Sequence, residues 1–278
     1  MAKSGIVVGD CFSGFSSVDG VFTVSELVRR LRQLDDVGSD AALPTLLIWG
    51  QGVSDSDRAS LIRLIRRTQG RVAITTARES QPTPASYSHV HKHEPQNVLI
   101  SVPKRADEHR FVADLLIDAR NELLLDHVTG QHVQGMVLIE AVRQMFLAVT
   151  KEHLFNEQTP VKTYFVIKSM KIDYKFFVFP VDASVSFRPD KIKHGDDGRL
   201  SVTASVGVWQ QGIECATSVV SYSVFDADHI RTREFALADA CVRGVLGMEN
   251  PPYPIISLSQ DIQQDHNPSH DGSQRIAS

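Results

Sequence analysis

Along the first 80 residues, short apolar runs alternate with stretches of helical period. Ile6-Val7-Val8 is a continuous apolar run that stops at the turn-like Gly9-Asp10. Val24, Leu27, Val28 and Leu31 then recur at 3.6-residue spacing, which predicts a helix. Thr23, with Glu26 three residues later, is a capping-box start for it. Thr45-Leu46-Leu47-Ile48-Trp49, bounded by Pro44 and Gly50, suits a buried strand. From Ser54 to Gln69 a second amphipathic helix turns Leu61, Ile62, Leu64 and Ile65 inward and its arginines outward, and Gly70 ends it. Arg71 to Thr76 reads as a third strand. Strand, helix, strand, helix, strand predicts a small α/β unit over residues 1–80, with a parallel sheet and crossover helices. So short a unit has little core of its own and is expected to lean on something else.

A Pro/Ser/Thr-rich stretch around residues 81–88 is expected to be a linker. Beyond it the pattern changes. Asn97 to Ser101 and His109 to Ile117 read as strands, and Gly135 to about His153 reads as one long helix. After Pro160 the chain is rich in strands: Tyr164 to Ile167 leading into Met170 to Phe179, then Ala183 to Phe187, Leu200 to Trp209 and Ile213 to Phe225. Gly195 to Gly198 and Gln210 to Gly212 supply turns. The simplest packing is α+β, a long central helix wrapped by an antiparallel sheet, over residues 89–230. Residues 231–253 are expected to be a C-terminal extension. The polar tail 254–278 holds too few apolar residues to order itself.

The central helix carries the candidate chemistry. From Met136 to Val149 every residue is apolar except Glu140, Arg143 and Gln144. A helix apolar almost all round is buried, and these three share a face at i, i+3 and i+4. One reading is a buried Glu140–Arg143 pair with Gln144 closing the network. The other adds the preceding loop, which brings His127 and His132 beside the helix N-terminus, where free backbone N–H groups and the dipole would polarise a carbonyl. A histidine, a carboxylate and an oxyanion hole suffice for acid–base work on a thioester.

The run from His127 to Gln144, HVTGQHVQGMVLIEAVRQ, resembles the helix signature of hotdog β-hydroxyacyl-carrier-protein dehydratases. It is more similar to the A-factor biosynthesis hotdog family, the γ-butyrolactone synthases, whose helix reads Glu-Ala-x-Arg-Gln, as residues 140–144 do here. Val90-His91-Lys92 followed by Asn97-Val98-Leu99 also resembles the opening of that family's domain. The likeness covers about residues 88–230. It implies a hotdog fold and transfer of a β-ketoacyl group from an acyl-carrier-protein or coenzyme A thioester to a hydroxyl of dihydroxyacetone phosphate or a similar acceptor. A dehydratase or thioesterase, or a non-catalytic acyl-binding or signal-sensing module, are the alternatives. It further implies Glu140, His132 and His127 as catalytic residues, and Arg143, Gln144, Gly135, Met136 and His91 as substrate contacts. His127 lies one residue closer to Glu140 than the dehydratase histidine does, so His132 competes with it and lies nearer the helix start. Relatives carry two hotdog units in tandem. The single unit here is expected to pair with a second copy, because hotdog units pair edge to edge.

Composition narrows the field. The net charge of −4 offers no footprint for nucleic acid or an anionic membrane. No apolar run reaches the ~18 residues of a membrane span, and no signal-peptide pattern opens the chain, so a cytoplasmic protein is expected. Cys11, Cys215 and Cys241 are scattered without a Cys-x-x-Cys pair, so neither a disulfide framework nor a zinc site is expected. His89, His91 and His93 alternate as on one side of a strand, where a solvated entry strand is favoured over a metal site. No cofactor is expected. Gly9-Asp10-Cys11, and Asp226 with His229, imitate fragments of hydrolase motifs, and chance is the better account. Lys168, Lys171, Lys175, Arg188, Lys191 and Lys193 read as a solvated sheet face, or as a surface for an acidic carrier protein or a phosphate.

Overall fold

The computed structural model describes residues 4–33, 43–69, the backbone of 73–74, 82–125, 130–195 and 198–248. The α/β expectation holds at the N-terminus. Strand β1 (Ser4–Val8) leads through a 3-10 turn (Asp10–Ser17) into β2 (Val21–Thr23) and helix α1 (Val24–Gln33). Then follow β3 (Leu46–Trp49), α2 (Asp55–Arg67) and β4 (Ala73–Ile74). The parallel sheet has the order β2-β1-β3-β4. Strand β2 is the addition to the expected three; three residues are too few for periodicity to reveal. The caps behave as their chemistry dictates. Thr23 Oγ1 accepts from Glu26 N at 3.2 Å, and Ser54 with Asp57 forms a full capping box for α2. Val7, Leu27, Leu31, Leu47, Leu61 and Ile65 form the core between sheet and helices.

The rest is a hotdog fold. It comprises α3 (Tyr87–Val90), β5 (Lys104–Arg105), β6 (Phe111–Asp114), α4 (Gly135–Val149), β7 (Thr163–Tyr174), β8 (Ser184–His194), β9 (Leu200–Gln210), β10 (Ile213–Asp226) and α5 (Ala227–Val245). Six strands form one sheet in the order β5-β6-β8-β9-β10-β7. Helix α4 runs on through a π-helical turn, Thr150–Leu154. Helix α4 is buried apart from Gly135 at its start and a stripe of Met136, Ile139, Glu140 and Arg143. The expected turn between β9 and β10 is Gln211-Gly212, with φ of 52° and 77°, as a two-residue type I′ hairpin requires.

Some expectations change. His89, His91 and His93 do not alternate along a strand: α3 begins at Tyr87, and His91 ends it in the left-handed region at φ 54°. Asn97 to Ser101 forms single bridges rather than a strand, with Ser101 opposite Pro84 and Ile100 opposite Leu115. Ala85 N donates to Ile100 O at 3.0 Å, so residues at the expected linker pair with the hotdog. The expected tail, 254–278, lies outside the described residues. Among those described, no helix is long and apolar enough to cross a membrane.

The described residues group into two compact units, the second made of Thr159–Ser169, Lys193–Ser201 and the chain from Ser221. Within that second unit Phe165 stacks on the buried Tyr222, and Asp226 caps α5 by accepting from Asp228 N and His229 N at 2.9 and 3.1 Å. The capping role accounts for the Asp-x-x-His pattern. The first unit contains the parallel sheet and α4.

Candidate active site

The entry to α4 is pinned on two sides. Val133 N donates to Val178 O at 2.7 Å, and the buried N-cap Gln134 donates its carboxamide to Leu123 O at 2.9 Å. A Cβ on Gly135 would lie 2.8 Å from the Tyr174 hydroxyl, which donates to Gly135 O at 2.9 Å, so a larger residue there would displace the Tyr174 ring. The first-turn N–H groups of a helix have no intrahelical partner and carry the positive end of its dipole.

Beside this helix start opens a cavity of about 510 Å³. Val133, Leu138, Phe176, Phe177 and Val178 make it apolar, and Gly135 lies in its wall. Its polar groups are His132, Tyr174 and Lys175. The His132 ring sits 4.6 Å from that of Phe177, tilted by 42°. Lys175 pairs with Glu214. Desolvation pushes the Tyr174 phenol above its ordinary pKa, so it stays a hydroxyl donor. Phe176 and Phe177 remain 63% and 65% exposed, so the cavity mouth presents aromatic surface to solvent.

Glu140 does not line this cavity. Five residues past Gly135, its side chain leaves the helix on another face. There Glu140 Oε2 accepts from Arg143 Nε at 2.8 Å. Its Oε1 accepts from Arg143 Nη2 at 2.9 Å and Gln144 Nε2 at 3.0 Å, and lies 2.9 Å from Lys92 Nζ. Burial pushes the carboxyl pKa up, but the bonds from Arg143, Gln144 and Lys92 outweigh it, and Glu140 is held below the usual carboxylate range. It is ionised at neutral pH and has no proton to donate.

Gln144 is fully buried and spends its whole carboxamide on structure. Its Oε1 accepts from Leu99 N at 2.8 Å, while Nε2 donates to Asn97 O at 2.8 Å and to Glu140. Arg143 also reaches Val90 O at 3.4 Å. His91 sits at the surface near Lys151 and Arg143. Partial desolvation of its ring and these two cations push its pKa down to about 4. Met136 is 58% exposed on the helix stripe, outside the cavity. His127 lies outside the described residues.

The structure therefore brings His132 and Gly135 together, and separately Glu140, Arg143 and Gln144. Sequence reasoning missed Lys92 as the second cation on Glu140 and Tyr174 as the support of Gly135. Tyr174 lies 39 residues from Gly135, and nothing local in either segment marks the contact. The Gly9-Asp10-Cys11 fragment resolves into a structural role. Asp10 accepts from Ser25 N and Oγ at 3.0 and 2.6 Å at the start of α1. Burial, with Asp10 and Asp118 nearby, pushes the Cys11 thiol up to about 11, so it is no nucleophile at neutral pH. Of the basic residues that mark the sheet face in the sequence, Lys171 and Arg188 pair with Asp173 and Asp190.

No curated protein matches this chain. Solved structures similar to it include a mutant thioesterase from Pseudomonas aeruginosa, 11% identical over 45% of this chain and 81% of that one, with a TM-score of 0.35. A thioesterase from Haemophilus influenzae is 12% identical over 50% of this chain and 82% of its own, with a TM-score of 0.33. The A-factor biosynthesis hotdog domain matches residues 74–226, more than half the chain and the whole of the site just described. The chain belongs to the A-factor biosynthesis hotdog family.

Proposed function

We propose that this protein transfers a β-ketoacyl group from a carrier-protein or coenzyme A thioester to a hydroxyl of a phosphorylated triose such as dihydroxyacetone phosphate, a step toward a butyrolactone-type signal. The observation that carries the reading is the cavity at the start of α4, where an apolar wall, a histidine and the helix N-terminus meet. Leu138, Phe176, Phe177 and Val178 receive the acyl chain. The thioester oxygen faces the N–H groups of the first helical turn, which stabilise the oxyanion. His132 takes the proton of the acceptor hydroxyl as its oxygen adds to the carbonyl carbon. Collapse of the tetrahedral intermediate breaks the C–S bond, and His132 returns the proton to the departing thiolate. Lys175, in the cavity wall, receives the acceptor phosphate by exchanging it for Glu214. Glu140, ionised and saturated with donors, acts as an anchor that ties Lys92 to the helix, beside Gln144, which ties Asn97 and Leu99 to it. A second copy of the chain pairs along β7, a twelve-residue strand at the end of the sheet, because an open edge of that length is a template for another strand.

Incubation with a β-ketoacyl thioester, with and without dihydroxyacetone phosphate, tests the reading. Ester formed only with the acceptor supports it. Thioester loss at the same rate without acceptor replaces it with hydrolysis or dehydration, and tight binding without turnover replaces it with an acyl-binding module. Light scattering that returns a monomer at micromolar concentration removes the second copy.

A further inference from the structure

Open parallel sheets bind ligands beyond the carboxyl ends of their strands, at the point where strand order reverses. In the order β2-β1-β3-β4 that point lies between β1 and β3. Both strands end there in tight backbone: Gly9 N donates to Gln51 O at 2.9 Å, and Gly50 N to Val7 O at 2.7 Å. The crevice is filled by the hotdog's own chain. Gln51 Nε2 donates to Leu115 O, and its Oε1 accepts from Ile117 N, both at 2.9 Å. Gln51 N donates to Pro180 O at 2.9 Å, and Gly52 N to Ile117 O at 2.8 Å. A Cβ on Gly50 would stand 2.7 Å from Pro180 O, so only glycine permits this approach. From the 3-10 turn after β1, Phe15 N donates to Gly130 O at 3.1 Å, and the Phe15 ring stacks on Phe179 at 5.6 Å.

Three of these contacts, on Pro180, Gly130 and Phe179, end within two residues of a wall of the cavity, and the Gln51 side chain fixes the same turn against Leu115 and Ile117. Gly130 is two residues before His132, and Phe179 follows Val178. We propose that the α/β unit has turned its ligand-binding end into a cradle for the active-site loops, with Gln51 as the positioning residue that sets His132 and the aromatic wall. Its bearing on catalysis rests on the acyl-transfer reading; its bearing on geometry does not.

The test uses the full chain with Gln51→Met, which keeps the side chain's length and removes both amide bonds. Ser54→Ala is the control: it removes the α2 cap, destabilises the same unit and touches none of these contacts. The first readout, without ligand, is the imidazole C–H resonances of His132, displaced by Phe177 and assigned by their disappearance in His132→Gln. The second is the dissociation constant of a non-hydrolysable acyl-pantetheine thioether. Gln51→Met is expected to shift the His132 resonances toward solvent-exposed values and to weaken thioether binding by at least about 10-fold. Ser54→Ala is expected to change neither while lowering the melting temperature. Unmoved His132 resonances in Gln51→Met, or an equal shift in Ser54→Ala, overturn the proposal. Should Gln51→Met fail to fold, Phe15→Leu, which removes only the ring stacked on Phe179, carries the same expectation with a smaller shift. A wild-type protein that binds no thioether defeats the acyl-transfer reading, and the resonances still decide the positioning.

Discussion

Helix α4 bears two polar constellations that differ in what they leave open. Around Glu140 every strong group is answered: three donors surround one carboxylate, and Gln144 divides its amide between Leu99, Asn97 and Glu140. At the helix start Gly135 lies in the wall of a cavity of about 510 Å³ bounded by aromatic rings and His132. A saturated buried network specifies geometry, because each lost bond leaves a stranded partner. A helix N-terminus beside an apolar cavity can stabilise charge that appears only during a reaction. Charge, expected burial and the Glu-Ala-x-Arg-Gln pattern all single out Glu140 in the sequence. In the proposed acyl transfer, what separates an anchor from a reacting group is whether its hydrogen-bonding capacity is spent.

The sharpest way to break this contrast is Gln144→Leu. It strands Leu99 N and Asn97 O in the interior, so unfolding free energy in urea should fall by about 3–5 kcal/mol. A loss below about 1 kcal/mol would show that the network holds nothing together. His132→Ala should do the opposite, lowering acyl transfer by about 100-fold or more while leaving the urea midpoint close to wild type. Near-normal turnover in that variant would move the chemistry elsewhere.

Glu140→Gln sharpens the comparison through pH. Its folded pKa is depressed, so the ionised carboxylate contributes stability that is complete above its ordinary value of 4.5 and is lost as pH falls through the lower folded value. The side chain is 15% exposed, and the amide keeps its shape but leaves Lys92 and Arg143 less well compensated. At pH 7 a cost of about 1–3 kcal/mol is expected, smaller than for a fully enclosed pair. Thermal melts between pH 7 and 3 should show wild type and variant converging in acid; parallel curves would sink the assignment. The smallest effect belongs to Tyr174→Phe. The hydroxyl gives one bond, to Gly135 O, on a residue 50% exposed, so stability should drop by less than about 1 kcal/mol. The helix start, left without that restraint, should still bind the acyl thioether more weakly than wild type. Unchanged affinity would show that Tyr174 is only a wall.

Much of this was legible before any fold was known. The alternation of Ile6-Val7-Val8 with the Val24–Leu31 face predicts the parallel sheet, since only strand and helix periods separated by short turns produce it. The unbroken apolar surface of residues 136–149 predicts a buried helix, and the three polar residues within it predict a network among themselves. The spacing i, i+3, i+4 guarantees their contact, because helix geometry is local. Less legible was α3. Three histidines at every second position imitate a strand, but Tyr87 to Val90 closes its own helical turn, and residue spacing carries no information about that competition.

Local order therefore determined α1, α2 and α4, most strands, the hairpin at Gln211-Gly212 and the Glu140–Arg143–Gln144 group. Each rests on residues a few positions apart, where backbone geometry permits few outcomes. Tertiary structure alone decided that Lys92 joins Glu140, that Tyr174 supports Gly135 and that Gln51 reaches Leu115 and Ile117. Those partners stand between 39 and 66 residues apart along the chain. Chain connectivity constrains such pairs only weakly, and they are selected by the packing of whole layers, which forces distant polar groups together and leaves each to find its bond.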